Sequence, residues 1–496
     1  MPLTPKAIYK DLKNKDLDSN SAIELLITLI ENNENINIRL ECLNILEKIR
    51  PRDEKTFKLL ENLLISDTNE SIRNIAASML QNYFIEKALG PMKWALEHEK
   101  GLKCLITIIS TLSKINTLES KSILINKIYY HYYQENKYNL KDIRRIEELE
   151  DSNSQVLAEL LINYHFITFL KRKFGFIKYE FNNSGYVTKL DLTNVDPQGI
   201  YLSNFLDLID SLKHLNSLDL RFNNLTKLTE ISSESFSLKS LDLSYNKLIN
   251  IPKTIAKIKS LEDLNLKSNR LRFLPKSIKN LSSLQKLNLR NNMLIRIPPP
   301  IKSFKFLRTL DLHGNKLNSI DFQINNSIKD LELGWNNFSE VPVKLKSLTS
   351  LEKLGFSGNK LKSLPKWISN FQSLKLLDLY DNLLDNLTNS IGLLKSLEHL
   401  VLRNNRLRDL PESMKHLKTL KKLNLSWNNF SFLPEWIGEL SSLEELNLWG
   451  NKLENLPKSI RFLSNLKIID LNFNKIEKIP EFLIELKERN GLIIKI

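Results

Sequence analysis

Residues 261–283 read LEDLNLKSNRLRFLPKSIKNLSS, and the same arrangement of leucines around one asparagine returns along most of the chain. The asparagine that closes each LxxLxLxxN segment recurs every 23 residues, with a single interval of 21. The twelve asparagines are Asn223, Asn246, Asn269, Asn292, Asn315, Asn336, Asn359, Asn382, Asn405, Asn428, Asn451 and Asn474. A period of this length kept for twelve cycles predicts a solenoid, whose function lies in the surface that its repeats spread out.

Each repeat has the features of one strand followed by a return arm. Leu264 and Leu266 alternate with polar neighbours, which predicts a strand with one buried face. The amide of Asn269 can satisfy backbone groups in the turn after the strand, and stacked repeats would form a ladder of such bonds. Pro275 blocks a full helix, and Ile278 gives the return arm an apolar inner side. A single repeat cannot bury these leucines, so its neighbours must cover them.

The repeat, written LxxLxLxxNxLxxLPxxIxxLxx, resembles the 23-residue class of the leucine-rich repeat family over residues 187–496. The resemblance implies an α/β solenoid, a horseshoe with a concave parallel β-sheet that binds proteins. Nine of the twelve repeats carry the proline, and those at Leu228, Ile320 and Leu387 lack it. The 21-residue repeat that begins at Leu307 is expected to have a shorter or rearranged return arm.

The amino-terminal third lacks strand alternation and predicts an all-α domain. Asn35-x-x-Ile38-Arg39 recurs 34 residues later as Asn69-x-x-Ile72-Arg73, and each copy starts a helix behind a polar cap. This recurrence resembles a HEAT-type helical repeat, and an ordinary helical bundle that caps the solenoid is the alternative. The predicted helices are 21–32, 37–49, 54–65, 70–84, 88–98, 103–115, 121–133 and 155–173, followed by a hairpin near 179–185.

These patterns divide the chain into four predicted parts. Val187, Leu190 and Leu192 make an imperfect first strand, and Leu492 and Ile494 make a last one. The parts are a HEAT-like helical repeat domain at 1–137, a connector and amino-terminal cap at 138–186, the leucine-rich repeat domain at 187–482, and a carboxy-terminal capping half-repeat at 483–496.

The net charge of +15 on 496 residues raises the alternative of a nucleic-acid-binding repeat protein. Residues 1–186 hold 26 Lys and Arg against 25 Asp and Glu, which leaves 46 against 32 for the repeats. The variable positions of the twelve LxxLxLxxN segments hold 13 basic and 14 acidic residues. The surplus therefore lies in loops and on the convex side, as a solvated coat, and the near-neutral concave face disfavours nucleic acid.

The composition also limits the cellular location. No apolar run approaches the roughly 20 residues of a membrane helix, and the first residues lack the apolar stretch of a secretory signal. Cys42 and Cys104 are the only cysteines, both in apolar helical patterns, with no pair available for a disulfide-rich cap. We expect a cytoplasmic protein without membrane insertion.

Motifs for catalysis or cofactor binding are absent from the sequence. It contains no GxxxxGK(S/T), GxGxxG, HExxH or CxxC motif, and the seven histidines show no metal-ligand spacing. Acidic or Asn side chains do recur between the two strand leucines, at Asp219, Asp242, Asn265, Asn288, Asp311, Glu332, Asp378, Asn424, Asn447 and Asp470. Short polar groups suit an exposed strand position, so a structural role is favoured over calcium. We expect no enzyme, cofactor or metal.

Aromatic and basic residues at the outward strand positions are the candidate partner-binding residues. The aromatic candidates are Phe222, Tyr245, Trp335, Tyr380, Trp427, Trp449 and Phe473. The basic candidates are Arg221, Lys267, Arg290, Arg308 and Arg403. Exposed aromatics in a patch are typical of binding hot spots. The sequence thus predicts a protein-interaction scaffold for an extended partner with an acidic segment and an apolar anchor, and the resemblance to Ras-group repeat proteins suggests a small GTPase or another signalling protein.

Overall fold

The computed structural model divides the chain into two compact units. It describes residues 4–134, 149–202, 206–230, 237–321 and 324–496. One unit comprises Met1–Asp191 with Leu208–Leu215, and the other comprises Leu192–Asp207 with Asn216–Ile496. Residues 138–148 of the predicted connector lie outside the described residues, and the four domain boundaries stay predictions.

The first unit begins with helices, as the sequence predicts. They are α1 (Pro5–Asn14), α2 (Ser19–Glu31), α3 (Ile36–Ile49), α4 (Glu54–Ser66), α5 (Glu70–Tyr83), α6 (Leu89–His98), α7 (Leu102–Ile115), α8 (Leu118–Gln134) and α9 (Ser154–Phe174). The predicted helices match α2 to α9 to within three residues at each end. Helix α1 was not predicted, although Thr4 caps its amino terminus by accepting a hydrogen bond from the backbone N–H of Ala7.

The 34-residue recurrence places two equivalent contacts in this unit. Arg39 on α3 forms an ion pair with Asp67, and Arg73 on α5 binds Glu99 through two hydrogen bonds of 2.7 Å. The carboxylates of Asp67 and Glu99 are 3% and 2% exposed, so each pair is desolvated. Because an isolated buried charge is costly, Arg39 holds the loop between α4 and α5 in place, and Arg73 holds the loop between α6 and α7. These two equivalent contacts support the interpretation of this region as a HEAT-like helical repeat.

A β-hairpin follows α9, as predicted. Strand β1 (Lys178–Phe181) pairs antiparallel with β2 (Val187–Asp191). The side chain of Asn182 accepts hydrogen bonds from the backbone N–H groups of Ser184 and Tyr186, both at 3.0 Å. This side chain closes the turn between the two strands.

A short helix, α10 (Leu206–Ile209), comes next along the chain. The second unit contains a parallel sheet with one strand per repeat. Its strands are β3 (Ser217–Asp219), β4 (Ser240–Asp242), β5 (Asp263–Asn265), β6 (Lys286–Asn288), β7 (Thr309–Asp311), β8 (Asp330–Glu332), β9 (Lys353–Gly355), β10 (Leu376–Asp378), β11 (His399–Val401), β12 (Lys422–Asn424), β13 (Glu445–Asn447), β14 (Ile468–Asp470) and β15 (Ile493–Lys495). Each strand pairs with the next in chain order, so the leucine of one repeat lies beside that of its neighbour, as in Leu423 and Leu446.

Short 3-10 helices form most return arms of the second unit. They are Lys253–Lys257, Lys276–Asn280, Pro299–Ser303, Val343–Ser347, Lys366–Asn370, Asn389–Leu393, Glu412–His416, Glu435–Glu439 and Lys458–Phe462. A proline precedes each of them except Asn389–Leu393. Thr388 takes the place of the proline there, and its φ of −67° is close to that of the prolines. As expected, the 21-residue repeat from Leu307 has no such helix among its described residues. The last arm is instead the helix α11 (Glu481–Asn490).

The predicted asparagine ladder is present. The amide of Asn269 donates to the carbonyls of Leu243 at 2.9 Å and Leu266 at 3.1 Å, and its oxygen accepts from the N–H of Leu248 at 3.0 Å. Each such asparagine therefore ties its own turn to the preceding repeat. Because these groups are buried, the bonds satisfy backbone atoms that water cannot reach.

Candidate protein-binding surface

The side of the sheet opposite the leucine core carries the candidate residues. We call it the sheet face, and it comprises the outward side chains of β3 to β14 and of the two residues before each ladder asparagine. The residue two places before the asparagine is the −2 position, and the residue directly before it is the −1 position. The −2 position holds Arg221, Lys267, Arg290, Tyr380, Arg403 and Trp449. The −1 position holds Phe222, Tyr245, Trp335, Trp427 and Phe473.

The backbone at the −1 position is left-handed in all twelve repeats, with φ between 51° and 68°. Seven repeats have Gly, Asn, Asp or Ser there, which tolerate or suit this conformation. The other five have the aromatic residues named above, although a left-handed backbone costs a residue with a Cβ about 1–2 kcal/mol. These rings are therefore kept against a local preference for small side chains, which is typical of functional sites.

Two of these tryptophans lie against a glycine in the next repeat. A Cβ at Gly358 would lie 2.7 Å from Cδ2 of Trp335, and a Cβ at Gly450 would lie 3.2 Å from Cδ2 of Trp427. Because Gly358 and Gly450 themselves occupy −1 positions, each pair repeats one arrangement at a spacing of 23 residues. The glycine makes room for the ring of the preceding repeat.

Five candidates form one continuous group, which we call the C-terminal aromatic cluster: Tyr380, Arg403, Trp427, Trp449 and Phe473. The ring centroids of Trp427 and Trp449 are 5.4 Å apart, and those of Trp449 and Phe473 are 5.9 Å apart. The Cζ of Arg403 lies 5.8 Å from the ring centre of Tyr380 and 5.2 Å from that of Trp449. Trp427 and Phe473 are 48% and 78% exposed, so the cluster presents aromatic surface to solvent.

A smaller group occupies the start of the sheet face. Phe222 and Tyr245 stack with ring centroids 4.4 Å apart and an angle of 11°, and Nζ of Lys267 lies 5.1 Å from the centre of the Tyr245 ring. We call these three residues the N-terminal aromatic group. Arg221 lies beside it, but its Nη2 is 2.6 Å from Asp219, so an internal carboxylate already neutralises its charge.

Trp335 stands between the two groups, next to a histidine. The centroid of its ring is 6.5 Å from that of His313, and Nη2 of Arg290 is 3.4 Å from Nε2 of His313. Burial and the charge of Arg290 lower the pKa of His313 to about 4. The imidazole is therefore neutral at physiological pH and can accept a hydrogen bond from Arg290.

Arg308 does not join the other basic candidates. It precedes β7, in the row of exposed side chains where Glu352 pairs with Lys329 at 2.6 Å and with Lys375 at 3.0 Å. These two lysines lower the pKa of Glu352. From Lys329 to Lys467 this row alternates between lysine and glutamate, and Arg308 precedes it. The sequence pattern grouped Arg308 with the −2 residues because side chains at both positions point outward.

The Asp and Asn residues between the strand leucines have a structural role. Their side-chain oxygens accept a hydrogen bond from the backbone N–H two residues later, for example from Arg221 to Asp219 at 3.0 Å and from Tyr380 to Asp378 at 2.9 Å. The bond recurs for Asp242, Asn265, Asn288, Asp311, Asn424, Asn447 and Asp470. This local turn explains why short side chains recur there.

Glu332 also lies between two strand leucines, but it does not form this turn. Its longer side chain lies over Gly355, where a Cβ would overlap the carboxylate. Burial, reinforced by the neighbouring charges of Asp311 and Asp378, raises the pKa of Glu332 to about 7. Within the described ranges, no group of three or more His, Cys, Asp or Glu side chains is arranged to hold a metal ion.

Two features of this surface were not predicted from the sequence. The first is the left-handed backbone at the −1 position, for which a signal existed, since Gly, Asn, Asp or Ser fills seven of the twelve repeats. The second is the placement of Arg403 between two rings from different repeats, which follows only from side-chain directions in the folded sheet.

Comparisons with known proteins agree with this architecture. Family models described as leucine-rich repeat region, leucine rich repeat, and leucine rich repeats in two copies match residues 366–452, 236–294, and 282–323 with 441–485, respectively. A search of curated proteins found no match. In the described part of the chain, no helix has the length and apolar character needed to span a bilayer.

Solved structures with the same repeat are also similar. A leucine-rich repeat protein of Leptospira interrogans is 31% identical, and the match covers 62% of this chain and 90% of that one, with a TM-score of 0.47. An internalin of Listeria monocytogenes is 23% identical, with 62% and 86% covered and a TM-score of 0.50. The family models match residues 236–323 and 366–485, and the chain belongs to the leucine-rich repeat family.

Proposed function

We propose that this chain is a cytoplasmic signalling scaffold whose sheet face binds a protein partner, with the C-terminal aromatic cluster as the anchor. The five aromatic residues at the left-handed −1 position carry the proposal. In the other seven repeats a small residue occupies this position, so the fold does not require an aromatic ring there. We therefore assign the rings a role in binding. Repeat folds of this family provide extended surfaces for protein interaction, which is the setting that such rings require.

The spacing of the aromatic groups favours an extended partner. Six strand intervals separate Tyr245 on the repeat of β4 from Tyr380 on the repeat of β10, which amounts to roughly 29 Å at ~4.8 Å per strand. An extended segment of about nine residues spans that distance. Such a partner would reach both the N-terminal aromatic group and the C-terminal aromatic cluster.

The first test removes the two central rings. The double variant Trp427→Ala with Trp449→Ala should keep its thermal midpoint, because both rings point away from the leucine core. Loss of desolvated aromatic anchors should weaken partner binding by about 2 kcal/mol or more, which is about thirtyfold. The measurement pairs thermal unfolding with capture of partners from a lysate of the source organism, followed by titration calorimetry with the purified partner.

The matched control is Phe462→Ala. Phe462 is 69% exposed and lies on the return arm Lys458–Phe462, so its removal changes exposed aromatic surface away from the sheet face. The control should bind as the wild type does. A folded double variant that binds its partners with wild-type affinity would refute the aromatic anchor, and an unfolded double variant would show that the rings stabilise the core.

A small GTPase is the first partner class to test within this proposal, because of the resemblance to Ras-group repeat proteins. Purified small GTPases loaded with GDP or a GTP analogue are passed over the immobilised chain. Binding that depends on the nucleotide and on Trp427 would support this partner class. Absence of binding in both states would remove the GTPase and leave the sheet face to other proteins.

A further inference from the structure

Arg403 occupies an unusual position inside the C-terminal aromatic cluster. Its guanidinium lies between the ring of Tyr380, one repeat before it, and the ring of Trp449, two repeats after it. The intervening −2 position holds Ser426, which is small and buried, so the arginine can pass over it to reach Trp449. Two strand intervals of ~4.8 Å are within reach of an extended arginine side chain. The two rings therefore hold the guanidinium in one place.

The hydrogen-bonding groups of this guanidinium have no acceptor within the described residues. Its Nε is buried without a hydrogen-bond partner, and the residue forms no ion pair. Arg221, at the equivalent position of an earlier repeat, is instead bound to Asp219 at 2.6 Å. A guanidinium without an acceptor is unfavourable in a partly buried place, and a negatively charged ligand at its terminal nitrogens offsets that cost.

We propose that Arg403 is the receptor for a carboxylate on the bound partner, supplied by a Glu or Asp side chain close to an apolar residue that packs on Trp427 and Trp449. The inference rests on the proposed function and assigns the chemistry of the segment that the sheet face accepts. Because Nε is buried while the residue as a whole is only partly buried, the edge formed by Nη1 and Nη2 remains for binding. That edge presents parallel N–H groups that match the two oxygens of a carboxylate.

The surroundings favour a carboxylate over a phosphate. Asp378 and Asp381 lie in the repeat of Tyr380, next to that of Arg403, and Asp381 is bound to the amide of Asn404 at 2.5 Å. Their negative charge opposes a dianion more than a monoanion. We therefore assign an acidic peptide segment as the ligand, and a phosphorylated segment becomes an outcome of the test.

The test uses defined peptides and the full chain. Acetylated and amidated peptides of eleven residues, in a Gly-Ser background, carry one Glu and one Phe at every separation from one to four. Parallel sets carry Gln or phosphoserine in place of Glu. Binding is measured by fluorescence anisotropy for the wild type, Arg403→Gln, Arg403→Lys and the double variant Trp427→Ala with Trp449→Ala. The control is Arg408→Gln, which removes the same charge from an exposed arginine outside the cluster.

The expected result is a preference of about tenfold or more for at least one Glu peptide over its Gln counterpart in the wild type and in Arg408→Gln. Arg403→Gln should abolish this preference while its circular dichroism stays unchanged. Arg403→Lys should keep part of the preference, because it keeps the charge and loses the paired geometry.

Several results would overturn the inference. They are equal binding of Glu and Gln peptides, a Glu preference that survives in Arg403→Gln, tighter binding of the phosphoserine set, and no binding of any peptide. Peptides that bind without a Glu preference but still require Trp427 and Trp449 would leave the proposed function standing. Peptide binding that is unchanged by replacing Arg403, Trp427 and Trp449 would count against both proposals.

Discussion

At the −1 position an aromatic residue lowers the stability of the fold, and it also provides exposed surface for binding. Asn is the non-glycine residue that best tolerates a left-handed backbone, because its short side chain bonds locally, whereas a large ring has no such compensation. Phe473 illustrates the balance most simply, since it has a φ of 54° and is 78% exposed, so little packing offsets its backbone cost.

Replacing Phe473 with Asn should therefore stabilise the protein. We expect the free energy of unfolding to rise by about 0.5–1 kcal/mol, because the left-handed backbone is then occupied by a residue that tolerates it. Equilibrium denaturation in urea measures the change. Phe473→Ala is the control, since it removes the same ring and keeps the unfavourable conformation, and it should be less stable than Phe473→Asn. Equal stability of the two variants would contradict the backbone argument.

Neighbouring strands bring chemical groups together in columns across the sheet. Asp311 on β7, Glu332 on β8 and Asp378 on β10 share one column, with Gly355 on β9 between the last two. Each of the three carboxyl groups has a raised pKa, chiefly through burial. The column is thus an electrostatic feature of the sheet and not of any single repeat.

This column predicts a pH-dependent effect of Glu332→Gln. Below about pH 4.5 the carboxyl is protonated in both the folded and the unfolded chain, so the variant should match the wild type. As the pH rises to about 7, the unfolded chain releases the proton first, and wild-type stability falls. At pH 8 the variant should be more stable by about 2 kcal/mol, as measured by denaturation at both pH values.

Glu352→Gln is the matched control for this measurement. Lys329 and Lys375 lower the pKa of Glu352, so its charged form favours folding and is lost as the pH falls. The control should therefore lower stability at pH 8, the opposite sign to Glu332→Gln. A gain for Glu332→Gln that persisted at pH 4 would show that packing, and not charge, caused it.

The asparagine ladder connects all twelve repeats of the second unit into one stack. Because each asparagine binds backbone groups in two consecutive repeats, a break at one point weakens the contact between the two halves of the stack. Asn382 lies near the middle and donates to the carbonyls of Phe356 at 2.9 Å and Leu379 at 3.1 Å, while accepting from the N–H of Leu361 at 3.0 Å.

Asn382→Ala should destabilise the protein by about 1–3 kcal/mol, because it leaves these buried backbone groups unpaired. Calorimetry and urea denaturation measure the loss. Asn386→Ala is the control, since Asn386 is exposed and its amide binds only the adjacent Asp385. It should leave the midpoint within about 0.5 kcal/mol of the wild type. An unchanged midpoint for Asn382→Ala would mean that solvent replaces the ladder bonds.

Much of this architecture follows from the sequence, because every repeat contains the same pattern and therefore adopts the same local geometry. The two-residue alternation at Leu264 and Leu266 specifies a strand, Asn269 specifies the turn after it, and the period places both in every rung. The outward direction of Trp427 follows from the same register, and the structure confirms it, since this side chain is about half exposed. Helices α2 to α9 of the first unit were also predicted from their apolar spacing, whereas α1 was not.

Other properties depend on distances between side chains from different repeats, which no local pattern encodes. Arg403 reaches Trp449 because Ser426 between them is small, and Glu332 acquires its raised pKa because the folded sheet buries it and places it near other carboxylates. Charge interactions and ring contacts act through space and depend on burial, whereas the repeat pattern specifies register alone. For that reason the sequence predicted which side chains point outward, and only the folded sheet decides which of them contact one another.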